Sequence, residues 1–196
     1  MKKTERIGIL GGSFDPVHCG HITIARAALR AAQLDRVLFM PAAKQPFKRR
    51  GSHAPDAARL DMVRLAIKGE PRFEPCALEL ERGGVSYLFD TLTELKKRHP
   101  RAQLFFIIGM DSLRDLRLWY RAAELPALCT FLVAARPGVE PPENAPVHTL
   151  IPCRAKNVSS SDIRERVAKN LPIRYLVPRA VASRIACHGL YTKETP

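Results

Sequence analysis

The residues of this chain best suited to chemistry gather in one stretch, Gly11-Gly12-Ser13-Phe14-Asp15-Pro16-Val17-His18-Cys19-Gly20-His21. It follows the apolar run Ile7-Gly8-Ile9-Leu10, which reads as a buried strand. It precedes Ile22 to Leu34, which reads as a helix. The turn at the first βα step of an α/β chain is where such folds hold phosphate-bearing ligands, because the helix start offers free N–H groups and a partial positive charge. Gly11 and Gly12 let the backbone turn and approach a ligand without a Cβ clash. His18 and His21 lie three apart, so a helix beginning near them carries both imidazoles on one face. Two imidazoles aimed at a phosphate-holding helix start point to phosphoryl or nucleotidyl transfer. Taken alone, a glycine pair after a strand also suits a plain turn, and two nearby histidines also suit a solvated surface.

The remaining elements must position this stretch. Arg36 to Met40 reads as a second strand ended by Pro41, and residues 41–51, with two prolines and four basic residues, read as an exposed connection. Ala54 to Lys68 reads as a helix with Leu60, Val63 and Ile67 on an apolar stripe. Cys76-Ala77-Leu78-Glu79-Leu80 alternates like a third strand. Ser86 to Arg98 reads as a helix closed by Pro100. Leu104 to Ile108 is apolar throughout, as expected of a strand covered on both faces, and ends in Gly109-Met110-Asp111. Leu113 to Leu125 reads as two short helical pieces around Trp119-Tyr120. Thr130 to Ala134 and Val147 to Ile151 complete the strands, with a loop holding four prolines over 137–146 between them. Helices are expected over Asp162 to Asn170, with Asp162 and Glu165 in capping-box spacing, and over Val177 to Cys187. Strands and helices alternate, which argues a Rossmann-like, mainly parallel sheet with helices on both faces, a three-layer αβα fold. One domain over 1–196 is expected, with a small C-terminal helical part from about 159.

Bulk properties narrow the function classes. The 196 residues suffice for one sizeable core. No apolar run is long enough to span a membrane, and the N-terminus runs straight into a strand without a secretory pattern, so a cytoplasmic location is expected. The five cysteines are scattered and form no C-x-x-C pair, so neither a zinc site nor a disulfide framework is indicated. A net charge of +13 favours polyanionic partners, either nucleic acid or phosphorylated small molecules. Residues 1–100 carry 18 Lys and Arg against 11 Asp and Glu, and the rest carry 14 against 8, so no basic tail stands out. No helix-turn-helix, RNA-recognition or zinc-finger pattern accompanies the charge, so a specific nucleic-acid partner is not expected. Walker A, G-x-G-x-x-G and H-E-x-x-H motifs are absent as well.

The organising stretch resembles the signature of the nucleotidylyltransferases, with His18-Cys19-Gly20-His21 as the H-x-G-H element. Its longer form resembles the bacterial nicotinate-mononucleotide adenylyltransferases. The likeness extends in order through Pro41 to Lys48, Gly84 to Thr91, Ile107 to Asp111, Trp119-Tyr120, Arg136-Pro137-Gly138, Val158 to Arg164 and Tyr175 to Pro178. It implies adenylyl transfer from ATP, with Mg²⁺ carried on the nucleotide, to nicotinate mononucleotide. The products are nicotinate adenine dinucleotide and pyrophosphate, a step of NAD biosynthesis; the sequence leaves monomer and homodimer both open.

The resemblance also implies roles. His18, His21 and Lys48 would be catalytic. Gly11, Gly12, Ser13, Phe14, Gly109, Asp111, Ser159, Ser160 and Arg164 would join the two histidines in binding ATP. Asp15, Lys44, Ser86, Tyr87, Leu88, Trp119, Tyr120 and Arg136 would bind the acceptor, with Trp119 stacked on its pyridine ring. No resident metal site is implied. Two positions depart from the family pattern. Phe47 replaces the loop histidine, and Leu88 replaces the threonine after Ser-Tyr, which removes a hydroxyl from the carboxylate subsite. The same chemistry on nicotinamide mononucleotide or another phosphorylated acceptor therefore stays open. Without the resemblance, Trp119 would serve as core and Ser159 to Ser161 as a helix cap.

Overall fold

The computed structural model describes residues 4–47, 51–135, 140–141, 145, 147–153 and 158–192. Six strands form one sheet: β1 (Arg6–Gly12), β2 (Arg36–Pro41), β3 (Phe73–Pro75), β4 (Gln103–Gly109), β5 (Thr130–Ala135) and β6 (His148–Pro152). Their order is β3-β2-β1-β4-β5-β6, and every neighbouring pair is parallel. The chain thus winds outward from β1 to one edge, returns to β4, and winds to the other. The reversal lies between β1 and β4, with Leu10 beside Ile107, and in open sheets of this kind the ligand crevice is built beyond the carboxyl ends of the strands at that point.

Alternation along each strand divides the apolar side chains between two cores. On one face, Val37, Phe39, Phe105 and Ile107 pack with helices α1 (Cys19–Ala31), α2 (Asp56–Ile67), α7 (Ser160–Ala168) and α8 (Arg179–Cys187). On the other, Leu38, Met40, Leu104, Phe106 and Ile108 pack with α3 (Leu78–Arg82), α4 (Leu88–Arg98), α5 (Met110–Asp115) and α6 (Leu125–Leu128). Each fully buried Leu or Ile in these layers stabilises by about 1.5–3 kcal/mol relative to exposure. The three-layer reading of the sequence therefore holds. Gly8 allows the closest approach within it: a Cβ there would come within 2.6 Å of the Leu34 side chain. No described helix is long and apolar enough to cross a membrane.

Several local expectations are corrected. The third strand is Phe73–Pro75, not Cys76 to Leu80. Pro75 is tolerated because β3 is an edge strand. Leu78-Glu79-Leu80-Glu81-Arg82 is made of strong helix formers and is closed by Gly83 at φ +68°, so it coils into α3 instead. The next helix starts at Leu88, because Val85 and Ser86 are occupied in a parallel bridge to Lys44. α5 begins directly at Met110, and short 3₁₀ turns at Leu116–Leu118 and Ala122–Glu124 flank Trp119-Tyr120. Helix α7 is capped one turn earlier than the spacing of Asp162 and Glu165 suggests: Ser159 Oγ accepts the Asp162 N–H at 3.1 Å. The last helix begins at Arg179 rather than Val177.

Candidate active site

His18 sits at the N-cap of α1 and His21 in its first turn. Their rings stack, with centroids 3.6 Å apart and planes 23° from parallel. The His18 N–H donates to His21 Nδ1 at 3.1 Å. That bond makes Nδ1 of His21 an acceptor, so the neutral ring carries its proton on Nε2 and keeps a donor for a ligand. The Phe14 ring meets His21 edge-on at 4.9 Å. His18 is 6 % exposed, and burial lowers its pKa to about 4. Burial and the neighbouring His18 also hold His21 well below the usual histidine range. Without an anion present, both rings are therefore neutral near pH 7.

The turn leading to these rings is not made by its glycines. Among the residues between β1 and α1, the left-handed conformation falls on Phe14, at φ +47°. That conformation is uncommon for a residue with a Cβ, and burial of the Phe14 ring to 1 % exposure offsets its cost. Gly11 eases the packing here, since a Cβ would lie 3.2 Å from the Phe106 ring, a tight contact that the ring would have to yield to.

Three further segments are stitched to this turn. Arg59 of α2 is fully buried, and its guanidinium donates to the carbonyls of Ser13 at 2.5 Å and Ala42 at 2.8 Å and to Asp56 at 2.6 Å. It thereby joins the loop after β1 to the loop after β2. The loop after β2 in turn holds the segment before α4. The Ala43 N–H donates to Ser86 Oγ at 3.0 Å, and the Ser86 N–H to the Lys44 carbonyl at 2.9 Å. Beneath Ser86 lies the buried carboxylate of Glu79, which accepts from Thr91 Oγ1 at 2.7 Å and is bonded to Ser86. Burial pushes Glu79 up, and these bonds offset only part of the shift. Finally, α7 closes on the signature turn: Ser160 Oγ donates to the Pro16 carbonyl at 2.9 Å, and Arg164 Nη1 to the Asp15 carbonyl at 2.7 Å.

The sequence-derived candidates fall into groups. Gly11, Gly12, Ser13, Phe14, His18, His21, Ser160 and Arg164 converge at the start of α1. Ser159 lies beside them with its hydroxyl engaged in the cap of α7. Ser86, Tyr87, Leu88 and Tyr120 cluster at the start of α4, where the rings of Tyr87 and Tyr120 are 4.7 Å apart. Half-buried Trp119 stands edge-on to Phe106 of β4 at 6.1 Å. Gly109 ends β4 at the carboxyl edge of the sheet, while the Asp111 side chain is 97 % exposed and paired with Arg114. Lys44 is exposed on the loop after β2. Asp15 is placed differently from a substrate contact: its carboxylate is 3 % exposed and engaged by protein donors. Lys48 and Arg136 lie outside the described residues. Arg59, Glu79 and Tyr191 have no functional reading in the sequence, and Thr91 stands there only as the end of the Gly84 to Thr91 element. A charged Arg59 next to Leu60 of the apolar stripe is the signal the sequence offers for the first of these.

A parallel sheet of this order, with two imidazoles at a helix start beyond its point of reversal, has the build of a nucleotide-handling transferase. The sequence pattern of the cytidylyltransferase-like family matches residues 9–166. The chain is 45 % identical over 188 residues to a probable nicotinate-nucleotide adenylyltransferase of Thermus thermophilus, covering 95 % of this chain and 99 % of that one. It is 44 % identical over 187 residues to a protein of the same name from Shouchella clausii, covering 95 % and 97 %. The chain belongs to the cytidylyltransferase-like family, in the group of the nicotinate-nucleotide adenylyltransferases. Its fold is also that of the Plasmodium falciparum nicotinic acid mononucleotide adenylyltransferase complexed with NaAD, at a TM-score of 0.79 and 20 % identity, covering 95 % of this chain and 97 % of that one.

Proposed function

We propose that this protein transfers the adenylyl group of MgATP to nicotinate mononucleotide, releasing pyrophosphate and nicotinate adenine dinucleotide for NAD biosynthesis. The observation that carries the reading is the stacked pair His18 and His21 at the start of α1, faced by the start of α7 with Arg164. A 5′-phosphate oxygen of the acceptor attacks the α-phosphorus. The new P–O bond forms as the bond to the bridging oxygen breaks, and pyrophosphate leaves with that electron pair. The phosphate nucleophile is already anionic, so no strong general base is required. Rate acceleration then rests on alignment and on donors aimed at the developing charge.

Nε2 of His21 donates to a phosphate oxygen, and His18 acts beside it. Ser159, the Ser160 N–H and Arg164 at the α7 start receive the β- and γ-phosphates, and Lys48 reaches them from the loop after β2. Gly109 and Asp111 flank the adenosine. Trp119 stacks on the pyridine ring, and Arg136 meets the mononucleotide phosphate. Free N–H groups at the start of α4 attract the nicotinate carboxylate, with Tyr87 and Tyr120 as walls. Magnesium arrives on the triphosphate. Among the described residues no cluster of His, Cys, Asp or Glu could hold a resident metal. The enzyme works in the cytoplasm as one domain, and its positive charge serves phosphorylated substrates rather than a specific nucleic acid.

Leu88 favours weighing a second acceptor, because it offers no hydroxyl to a carboxylate. The test is pyrophosphate release from MgATP with nicotinate mononucleotide or nicotinamide mononucleotide, beside His18→Ala. Release with the nicotinate form is expected, lowered about a hundredfold or more in the variant. Equal release with the nicotinamide form would mean that Leu88 has relaxed the acceptor site. Release with neither, from folded protein that binds ATP, would sink the proposed acceptor.

A further inference from the structure

The tie that reaches furthest along the chain to the catalytic turn comes from beyond the last helix. Tyr191 follows α8, is 5 % exposed, and donates its hydroxyl to Asp15 Oδ1 at 2.8 Å across 176 residues of chain. The same carboxylate accepts the His53 N–H at 2.7 Å on Oδ2 and the Ala54 N–H at 3.0 Å on Oδ1, with His53 Nδ1 3.3 Å away. Burial alone would raise Asp15. The His53 N–H, the Tyr191 hydroxyl and the Ala54 N–H outweigh it and keep the group an ionised acceptor. Burial and the Asp15 charge push the Tyr191 phenol upward, so it stays a donor.

Asp15 lies between two residues whose side chains are anchored in the core, Phe14 at 1 % exposure and Val17 at 0 %. Tyr191 packs in that same core. Beyond Val17 the chain reaches the N-cap His18. Arg164 and Ser160 hold the carbonyls of Asp15 and Pro16 from one side, and Tyr191 holds the Asp15 side chain through the core. The Cys19 N–H is claimed by the Leu176 carbonyl at 2.9 Å. Every bond in this set ends on the turn whose geometry sets the direction of the two imidazoles.

Resting on the adenylyl-transfer reading, we propose that Tyr191 and Asp15 are positioning residues for the reaction, the Tyr191 hydroxyl acting through the Asp15 carboxylate on the turn that aims His18 and His21. Neither needs to touch substrate. Small misplacement of reacting groups costs rate steeply, whereas ground-state binding by other contacts is spared. A residue beyond α8 thus helps shape the transition-state site from within the core under the turn.

The test uses Tyr191→Phe, Asp15→Asn and the double variant, all in the full chain. The expected result is a kcat lowered about tenfold in each single variant with KM for MgATP unchanged. The double variant should be no slower than the worse single, because the two residues act in series. The imidazole signals of His18 and His21, read by nuclear magnetic resonance without substrate, should shift in both variants. That of His99, at the opposite edge of the sheet, should stay. If Tyr191→Phe does not fold, Asp15→Asn decides by the same readings. A kcat per folded molecule equal to wild type, or effects that multiply in the double variant, would overturn the proposal. A wild-type protein inactive with nicotinate mononucleotide would count against the function instead. The ring signals would then judge the positioning alone: displaced rings support it, and unchanged rings overturn it.

Discussion

At the scale of residues, the site is defined by what burial does to two imidazoles. His18 falls to about 4, and His21 follows in the same direction, so the free protein offers neutral rings to an anionic substrate. The sign of the consequence for stability is fixed. A histidine whose folded pKa lies below its unfolded value of 6.5 lets the unfolded chain bind more protons between the two. Stability is then full above about pH 6.5 and is lost as pH falls toward 4, by at most about 3 kcal/mol from His18. Asp15 acts in the same direction at lower pH: its folded pKa is depressed, so its contribution is present above the unfolded value and lost as pH falls through the folded one. Urea unfolding at pH 7 and pH 5 should expose the histidine part. The negative charge of a bound triphosphate should favour the protonated rings against the desolvation penalty, so MgATP is expected to bind with net proton uptake near pH 6. Calorimetry in buffers of different ionisation enthalpy measures this, and proton release would contradict it.

At the scale of elements, the site depends on how loops are tied at the carboxyl edge of the sheet. Arg59 is the main tie, and a buried guanidinium that leaves two carbonyls orphaned when removed is costly. Arg59→Leu should lower stability by about 2–5 kcal/mol in denaturant unfolding. Ser159→Ala should cost about 1 kcal/mol by uncapping α7. What the sequence reveals of these elements follows their physics. The strand around Leu104 to Ile108 and the pairing of His18 with His21 near a helix start are legible because their signals are local, an unbroken apolar run and polar groups at fixed spacing, although α1 begins at Cys19 and ends at Ala31 rather than running from Ile22 to Leu34. The true β3 leaves little signal because Phe73-Glu74-Pro75 is short and ends in proline, while the alternation of Cys76 to Leu80 imitates a strand where the chain enters a helix. Asp15 reads as a ligand residue from its place in the motif. Its actual partners, His53, Ala54 and Tyr191, come from distant parts of the chain and leave no local pattern. Arg59 is hidden for a related reason, since two of its three acceptors are backbone carbonyls of distant loops.

At the scale of the whole molecule, a net charge of +13 surrounds a crevice that must admit two phosphorylated substrates. If that field steers them, KM for MgATP should rise severalfold as salt increases through several Debye lengths of screening, with kcat nearly constant. A KM indifferent to salt would confine the charge to a general solvated surface. The sheet order and the convergence of α1 and α7 on one turn lead to a more specific claim: the transfer is a single displacement, aligned by the fold, with no protein nucleophile. The most direct test is the stereochemical course at the α-phosphorus, using ATP with one α-oxygen replaced by sulfur in a single configuration. The account predicts inversion in the dinucleotide product. Retention would require two displacements through a covalent adenylyl-enzyme, and would contradict it.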